Sequence, residues 1–157
     1  MVNRLFLVGA AVSFSLIAQT AAAQQSCESL TGFELPYATI TSAAMIPEGP
    51  FAHPGATPGA NLPQIVPAHC EVDGVIRPTS DSEIKFSLWM PSPSAWNGKY
   101  RQEGNGGWAG QIRYRSFIDP LTRGFAVAGT DNGHEGGTAA WAVGHPEKLI
   151  DFGWRAI

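Results

Sequence analysis

The chain has few charged residues and no concentration of either sign. Its 157 residues include 10 Lys and Arg against 13 Asp and Glu, which gives a formal net charge of −3, and only 15% of the residues are charged. Proteins that bind nucleic acid need a basic patch or stripe to neutralise phosphates, and none is present. The composition therefore argues against a nucleic-acid partner, and it carries no indication of oligomeric state.

The chain also lacks an apolar run long enough to cross a membrane. Its longest run, Leu5 to Ile17, follows Arg4 and precedes the small residues Ala21 to Ala23. A spanning helix needs about 20 apolar residues, whereas a positive start, a short apolar stretch and small residues are typical of a secretory signal. We expect residues 1–23 to be a removable signal peptide, so that the mature protein is secreted or periplasmic with no membrane partner. A membrane anchor is the alternative.

Cysteine is scarce, since Cys27 and Cys70 are the only two. In the oxidising compartment that the signal implies, an even number of cysteines predicts a disulfide. It would close a loop of about 43 residues and stabilise the fold by about 3–4 kcal/mol on the loop-entropy model. A reactive or metal-binding thiol pair is the alternative, although only the adjacent His69 hints at a ligand pattern. The histidines match no metal signature, so we expect no metal site.

The chain has no Gly-x-Ser-x-Gly signature for an activated serine, but it is rich in glycine. Four glycines fall within Gly104 to Gly110, directly after a run, Lys99 to Gln102, that reads as a strand. A bare backbone at the end of a strand can point N–H groups at a developing negative charge. We predict an anion or oxyanion site here, one that supplies donors but no nucleophile. A tight turn without a ligand is the alternative.

Two strands are expected before this loop. His69 to Ile76 reads as one strand, Pro78 to Ser82 as a turn, and Ile84 to Met90 as a second strand with an apolar residue at every other position. The two would form an antiparallel hairpin whose core face carries Ile84, Phe86, Leu88 and Met90. Upstream, a short helix or strand is expected around Tyr37 to Thr41, and a surface loop over Pro47 to Pro67.

A parallel unit is expected after the glycine loop. Ile112 to Leu121 suits an irregular crossover helix, and Phe125 to Thr130 suits a strand buried on both faces. Asp131 and His134 then fall at the carboxyl end of that strand, where open α/β sheets place their ligand crevices. We expect these two residues to fix the loop by side-chain hydrogen bonds, and lining of a substrate cleft is the second interpretation.

The far end of the chain reads as an interrupted helix. Pro146 and Glu147 suit a helix start, and Ile150, Trp154 and Ile157 share one face. The sequence stops there without a Gly cap or a turn signal, so we interpret the chain as an N-terminal fragment. The five tryptophans are expected to lie mostly in the core, with Trp108 as the best exception because it follows the glycine loop.

Four stretches in this order resemble the tannase and feruloyl esterase family. They are Trp96-Asn97-Gly98-Lys99-Tyr100, Gly104-Asn105-Gly106-Gly107, the run from Arg123 to His134, and Phe152-Gly153-Trp154-Arg155-Ala156-Ile157. The resemblance extends from about Cys27 to the end. It implies an α/β fold: the N-terminal part of an α/β-hydrolase sheet, with an antiparallel hairpin followed by parallel βα units, incomplete at residue 157.

The resemblance also implies a function. Family members are secreted serine esterases that cleave small phenolic-acid esters through an acyl-enzyme, and a lid domain with a structural calcium interrupts their sheet. Residues 24–157 would be the N-terminal portion of such a catalytic domain, truncated before the nucleophile elbow and the lid. The catalytic Ser, Asp and His would then lie downstream, and no cofactor is expected in residues 24–157. The oxyanion-hole position matches Gly106 or Gly107, and Trp108, Asp131 and His134 are candidate cleft-lining residues.

A second function of a different class remains open at this point. A complete, secreted, β-rich module could bind sugars or phenolic rings through exposed tryptophans, because aromatic clefts suit such rings. It predicts a cooperative melt of residues 24–157 and ligand-dependent quenching of tryptophan fluorescence.

Overall fold

The computed structural model describes residues 25–52 and 64–157, so the expected signal peptide lies outside the described residues. The described part is a mixed sheet with helices packed against it. Three short helical segments supplement the main elements: 3-10 helices at Cys27–Gly32 and Ala139–Ala142, and a π-helix at Asp151–Arg155. The strands and α-helices are β1 (Ala38–Ile46), β2 (Gly49–Pro50), β3 (Ile65–Val66), β4 (His69–Ile76), β5 (Ile84–Pro91), β6 (Tyr100–Glu103), α1 (Tyr114–Thr122), β7 (Ala126–Thr130) and α2 (Pro146–Ile150).

Five of the strands form one sheet in the order β1-β4-β5-β7-β6. The predicted hairpin is present, since β4 and β5 pair antiparallel from His69 opposite Pro91 to Ile76 opposite Ile84. The segment around Tyr37 to Thr41 forms a strand rather than a helix, and β1 pairs antiparallel with β4. The predicted strand before the glycine loop is β6, which is parallel to β7, whereas β7 is antiparallel to β5.

The crossover from β6 to β7 passes through α1, as the sequence predicts. The buried face of α1 carries Phe117, Ile118 and Leu121, which pack with Trp89 and Val127 of the sheet. Phe117 is fully buried, and its ring meets that of Trp89 edge to face at 5.3 Å between centroids. Burying such side chains contributes about 1.5–3 kcal/mol each, so this cluster holds α1 against β5 and β7.

Strand β5 is covered on both faces, which corrects the expected single core face. Ser87 and Trp89, assigned from the alternation to the solvent side, are more completely buried than Phe86, Leu88 and Met90. The physical reason is that α1 covers the Trp89 face. The opposite face packs more loosely on a second cluster around the cysteines.

The predicted disulfide is present between Cys27 and Cys70, whose Cα atoms are 5.6 Å apart. Both cysteines are buried in a cluster with Ala43 and Val72. The bond therefore ties the first 3-10 helix to β4 in the middle of the antiparallel part of the sheet, and a reactive thiol pair is ruled out in this state.

The segment from Pro47 to Pro67, expected to be a surface loop throughout, contains a small two-stranded sheet. Gly49 pairs with Val66, and Pro50 pairs with Ile65. Residues 53–63 of this segment lie outside the described residues. Proline is tolerated in such a short edge pairing because its missing N–H faces away from the partner.

The C-terminal helix departs from the predicted apolar face. Ile150, Trp154 and Ile157 are all exposed, whereas Asp151 and Ala156 are buried. The Ala156 N–H donates to the Asp151 carbonyl oxygen at 3.0 Å, a five-residue step that makes this turn a π-helix. A wider turn shifts the later side chains around the axis, so a pattern read at 3.6 residues per turn selects the wrong face.

The tryptophans are less buried than expected. Trp89 is a core residue, but Trp96, Trp108 and Trp154 are 54%, 47% and 81% exposed. The expectation that most are core is therefore wrong for this chain. Trp108 lies outside the core as expected, although Trp96 and Trp154 are exposed further. Among the helices of residues 25–52 and 64–157, none is long and apolar enough to span a bilayer.

Candidate functional site

The glycine loop, residues 104–110, begins where β6 ends at Glu103. Gly106 and Gly107 are exposed, and a Cβ added to Gly106 would meet nothing within 4 Å. Gly107 has φ of +58°, a conformation that favours glycine. No acceptor in the described residues takes a hydrogen bond from the N–H of either glycine. The loop thus carries two exposed glycines at the carboxyl end of a strand, and neither backbone N–H has a partner in the described residues.

A second loop, residues 131–137, follows β7 and is pinned to the glycine loop. Gly110 and Gly136 exchange backbone hydrogen bonds, with N to O distances of 2.7 Å and 3.3 Å. The Asn105 side chain donates from Nδ2 to the carbonyl oxygen of Thr130 at 3.1 Å. Parallel pairing of β6 with β7 puts both loops at one edge of the sheet, and these bonds then fix their spacing.

His134 makes the most direct contact between the two loops. Its side chain is buried, and Nε2 lies 2.9 Å from the carbonyl oxygen of Trp108. A carbonyl can only accept, so Nε2 carries the proton and donates it. The imidazole stacks on Trp141 with centroids 4.2 Å apart and planes 19° apart. Gly110 allows this approach, because a Cβ there would overlap the carbonyl oxygen of His134 and lie 2.5 Å from Cδ2.

Asp131 orders the start of the loop after β7. Its Oδ1 accepts from the Gly133 N–H at 2.9 Å and from the Lys85 N–H at 3.0 Å. Burial raises the pKa of the Asp131 carboxyl, and the two backbone hydrogen bonds only partly oppose that shift. The next residue, Asn132, has φ of +59° and donates from Nδ2 to the Ala109 carbonyl oxygen at 3.4 Å. Side-chain hydrogen bonds therefore fix this loop, as the sequence predicts.

An aromatic cluster lies beside the glycine loop. The half-exposed ring of Trp108 stacks on Phe152 with centroids 5.3 Å apart, and Trp141 meets both rings from the side. Phe152 belongs to the π-helix, and Thr130 donates from Oγ1 to the carbonyl oxygen of Ala156 at 2.8 Å. The C-terminal helical segment is thus anchored to the end of β7 and packs under Trp108.

The site offers backbone donors and an aromatic surface, but no activated nucleophile. In the part of the chain that the structure describes, no serine hydroxyl or cysteine thiol is paired with His134, whose ring nitrogens face the carbonyl oxygens of Trp108 and Asn132. Within the described residues, no group of three or more His, Cys, Asp or Glu could hold a metal ion.

The sequence of this part of the chain matches a known protein family. The chain belongs to the tannase and feruloyl esterase family, whose sequence model matches residues 70–157. This stretch contains β4 to β7, the glycine loop and the loop that pins it.

Individual relatives agree with that assignment. The chain is 45% identical over 140 residues to an uncharacterized esterase of Xanthomonas campestris pv. campestris, covering 88% of this chain and 23% of the relative. It is 32% identical over 153 residues to a probable feruloyl esterase B of Emericella nidulans, covering 96% of this chain and 28% of the relative. The chain spans less than a third of the length of these curated relatives.

A solved structure carries the same fold. The crystal structure of feruloyl esterase B from Aspergillus oryzae superposes with a TM-score of 0.70 at 27% identity, covering 83% of this chain and 26% of that chain. The mixed sheet described above is therefore part of the feruloyl esterase B fold, and the predicted partial α/β-hydrolase sheet is confirmed.

Sequence reasoning found the two glycines, Asp131 and His134, but missed the residues that join the loops. Asn105, Gly110 and Gly136 carry no signature of their own. One signal was present, because the carboxyl ends of adjacent parallel strands meet at one edge, and asparagine and glycine there suit loops with positive φ. Whether Gly106, Gly107, Trp108, Asp131 and His134 contact a substrate stays a prediction.

Proposed function

We propose that this chain supplies half of the oxyanion hole of a secreted carboxylic ester hydrolase that cleaves small phenolic-acid esters. The observation that carries the proposal is the pair of unengaged N–H groups at Gly106 and Gly107, held at the carboxyl end of β6 in a chain of this family. Relatives named as feruloyl esterases support the ester class.

The proposed chemistry is acyl transfer through a serine. A serine oxygen attacks the ester carbonyl carbon, and the carbonyl oxygen becomes an oxyanion that the loop N–H groups stabilise. A histidine accepts the serine proton and returns it to the departing alcohol, and water then releases the acid by the same route. The serine, aspartate and histidine of this proposal lie beyond residue 157, and residues 24–157 form the N-terminal portion of the catalytic domain.

The two donors are well suited to this role. Preorganised N–H groups lose no energy to reorientation when charge develops, and the loop is held by bonds from Asn105 and Gly110 on either side. The second donor in this fold class is the N–H of the residue after the serine. Trp108 is proposed to line the cleft next to the donors, where its half-exposed ring faces a phenolic group.

Proline substitution tests the proposal in the full-length enzyme with methyl ferulate and methyl gallate as substrates. Gly106→Pro and Gly107→Pro each delete one N–H, and loss of the donor that is used should lower kcat by about 10²–10³-fold. Proline fixes φ at about −65°, so Gly107→Pro also removes the φ of +58°, and its loss of kcat counts as loss of the donor only where its thermal midpoint stays that of the wild type. Gly106→Ala and Gly107→Asn are the matched controls, because both keep the N–H. Alanine has room at 106, and asparagine tolerates the positive φ at 107. Unchanged kcat in both proline variants would contradict the proposal.

The exposed tryptophans favour a second candidate, which is the binding of sugars or phenolic rings. Trp96, Trp108 and Trp154 present large aromatic faces to solvent. Titration of the full-length protein with ferulic acid and with a soluble xylan fragment, followed by tryptophan fluorescence, separates the two functions. Binding without hydrolysis of either ester supports the second.

A further inference from the structure

We propose that His134 is a positioning residue that aims the Gly107 N–H at the reacting oxygen through two hydrogen-bonded peptide groups. This inference rests on the proposed function, and it concerns a histidine that makes no contact with a nucleophile. It assigns to the buried imidazole a task in the reaction other than proton transfer.

The first link joins His134 to the peptide group between Trp108 and Ala109. The Nε2–H of His134 donates to the Trp108 carbonyl oxygen at 2.9 Å. The Ala109 N–H belongs to the same planar peptide group and donates to the carbonyl oxygen of Gly106 at 3.2 Å. One side chain therefore holds the peptide group that closes the turn over Gly106.

The second link runs from Gly106 to the donor itself. The Gly106 carbonyl and the Gly107 N–H belong to one peptide group, and the described chain contains no cis peptide bond. In a trans peptide the C=O and the N–H point in opposite directions. Holding the Gly106 oxygen against Ala109 therefore turns the Gly107 N–H away from the inside of the turn, where no acceptor in the described residues meets it. Hydrogen bonds in series also polarise one another, which strengthens the terminal donor.

The imidazole is itself held firmly enough to do this. It is 7% exposed, stacks on Trp141 at 4.2 Å, and lies 5.6 Å from the Phe152 ring between centroids. Gly110 leaves no space between the two loops at this point. Without the Nε2–H bond, the Ala109 N–H would still bond to Gly106, but the carbonyl oxygen of Trp108 would lose its partner in the loop after β7. The bonds at Asn105, Ala109 and Gly110 would then hold the glycine loop on either side of that peptide group without bonding to the group itself.

Two substitutions separate positioning from packing. His134→Phe keeps a ring that can stack on Trp141 but has no donor. His134→Gln gives up the ring but places an amide N–H the same number of bonds from Cβ as Nε2 of histidine, so it can still reach the Trp108 oxygen. A purely structural role predicts that activity follows thermal stability in both variants. A positioning role predicts that activity follows the donor.

The experiment measures kcat, KM and the thermal midpoint of the full-length enzyme on methyl ferulate for the wild type and both variants. We expect His134→Phe to lower kcat by about tenfold with little change in KM, which corresponds to about 1.4 kcal/mol of transition-state stabilisation. His134→Gln should retain kcat within about threefold of the wild type, even where its thermal midpoint is the lower of the two. Wild-type kcat in His134→Phe, or a loss in both variants that follows the thermal midpoint, would overturn the inference.

Comparison of the glycine-loop variants with the His134 variants distinguishes failure of the proposed function from failure of the positioning role alone. If Gly107→Pro leaves kcat unchanged while Gly106→Pro lowers it, the donor is the Gly106 N–H and only the role of His134 is overturned. If neither variant changes kcat, the proposed function fails and the role of His134 fails with it. If Gly107→Pro abolishes turnover while His134→Phe does not alter it, the proposed function stands and only the positioning role fails.

Discussion

A single carboxyl oxygen organises the start of the loop that carries His134. Oδ1 of Asp131 accepts two backbone N–H groups, one from its own loop at Gly133 and one from Lys85 of β5. The Lys85 carbonyl in turn accepts the Asp131 N–H at 3.1 Å, so this residue closes a ring with the neighbouring strand. The position of His134 therefore depends on the Asp131 carboxyl group, whose charged form is disfavoured by burial.

Replacement of Asp131 by asparagine should raise the free energy of unfolding at pH 7. Burial lifts the pKa of this carboxyl above its unfolded value, so its contribution to stability is complete below the unfolded pKa and is lost as the pH rises through the folded pKa. Asparagine keeps the accepting oxygen without the charge. The advantage of Asp131→Asn should therefore shrink as the pH falls towards about 4.

Urea unfolding of the full-length enzyme at pH 7 and pH 4 measures this difference. Asp119→Asn is the matched control, because that carboxyl is 74% exposed and its ion pair within the described residues is with Arg123 across one helical turn. An Asp131→Asn effect that is equal at both pH values would show that burial does not govern this carboxyl.

At the scale of elements, the alternation of apolar residues predicts where the strands lie in the sequence. It does not predict which strand or helix packs against each of their faces. The period of two in β5 places its side chains correctly on two faces, yet only the position of α1 decides that Trp89 lies on the more buried one. The helix at the end of the chain shows the same limit, since Ile150 and Trp154 of the predicted apolar face are exposed whereas Asp151 is buried. Local patterns carry no information on which neighbour covers a face.

The disulfide between Cys27 and Cys70 should be a major contributor to the stability of the antiparallel part of the sheet. On the loop-entropy model, closing a loop of this length restricts the unfolded chain by about 4 kcal/mol. A Cys27→Ala, Cys70→Ala double variant should lower the free energy of urea unfolding by roughly that amount. Reductant should bring the wild type to the level of the variant and leave the variant unchanged, and a wild type that is indifferent to reductant would contradict this.

At the scale of the whole molecule, the sequence predicted the parts of the site better than their assembly. The hairpin, the crossover and the glycine loop follow from local patterns and from the right-handed connection of parallel strands. The order β1-β4-β5-β7-β6 does not, because it depends on which strand edges meet after the chain has folded back. The bond from Asn105 to Thr130 spans 25 residues and is fixed by that order alone.

Residues 24–157 by themselves should hydrolyse neither methyl ferulate nor methyl gallate. They provide backbone donors, but the full sequence contains no Gly-x-Ser-x-Gly elbow, and His134 has both ring nitrogens directed at carbonyl oxygens. The test is a rate measurement on the purified segment beside the full-length enzyme. Turnover by the segment that disappears in its Gly107→Pro variant would refute this expectation.

The crossover between β6 and β7 also sets the order of events while the chain is being made. In the described residues β6 pairs only with β7, and the partners that shape the glycine loop are Thr130, Asn132, His134 and Gly136. A chain synthesised from its N-terminus exposes the loop about 25 residues before these partners emerge. The hairpin of β4 and β5 can form earlier. The N–H groups of Gly106 and Gly107, in contrast, are oriented only once the residues that follow β7 have been synthesised and can bond to the glycine loop.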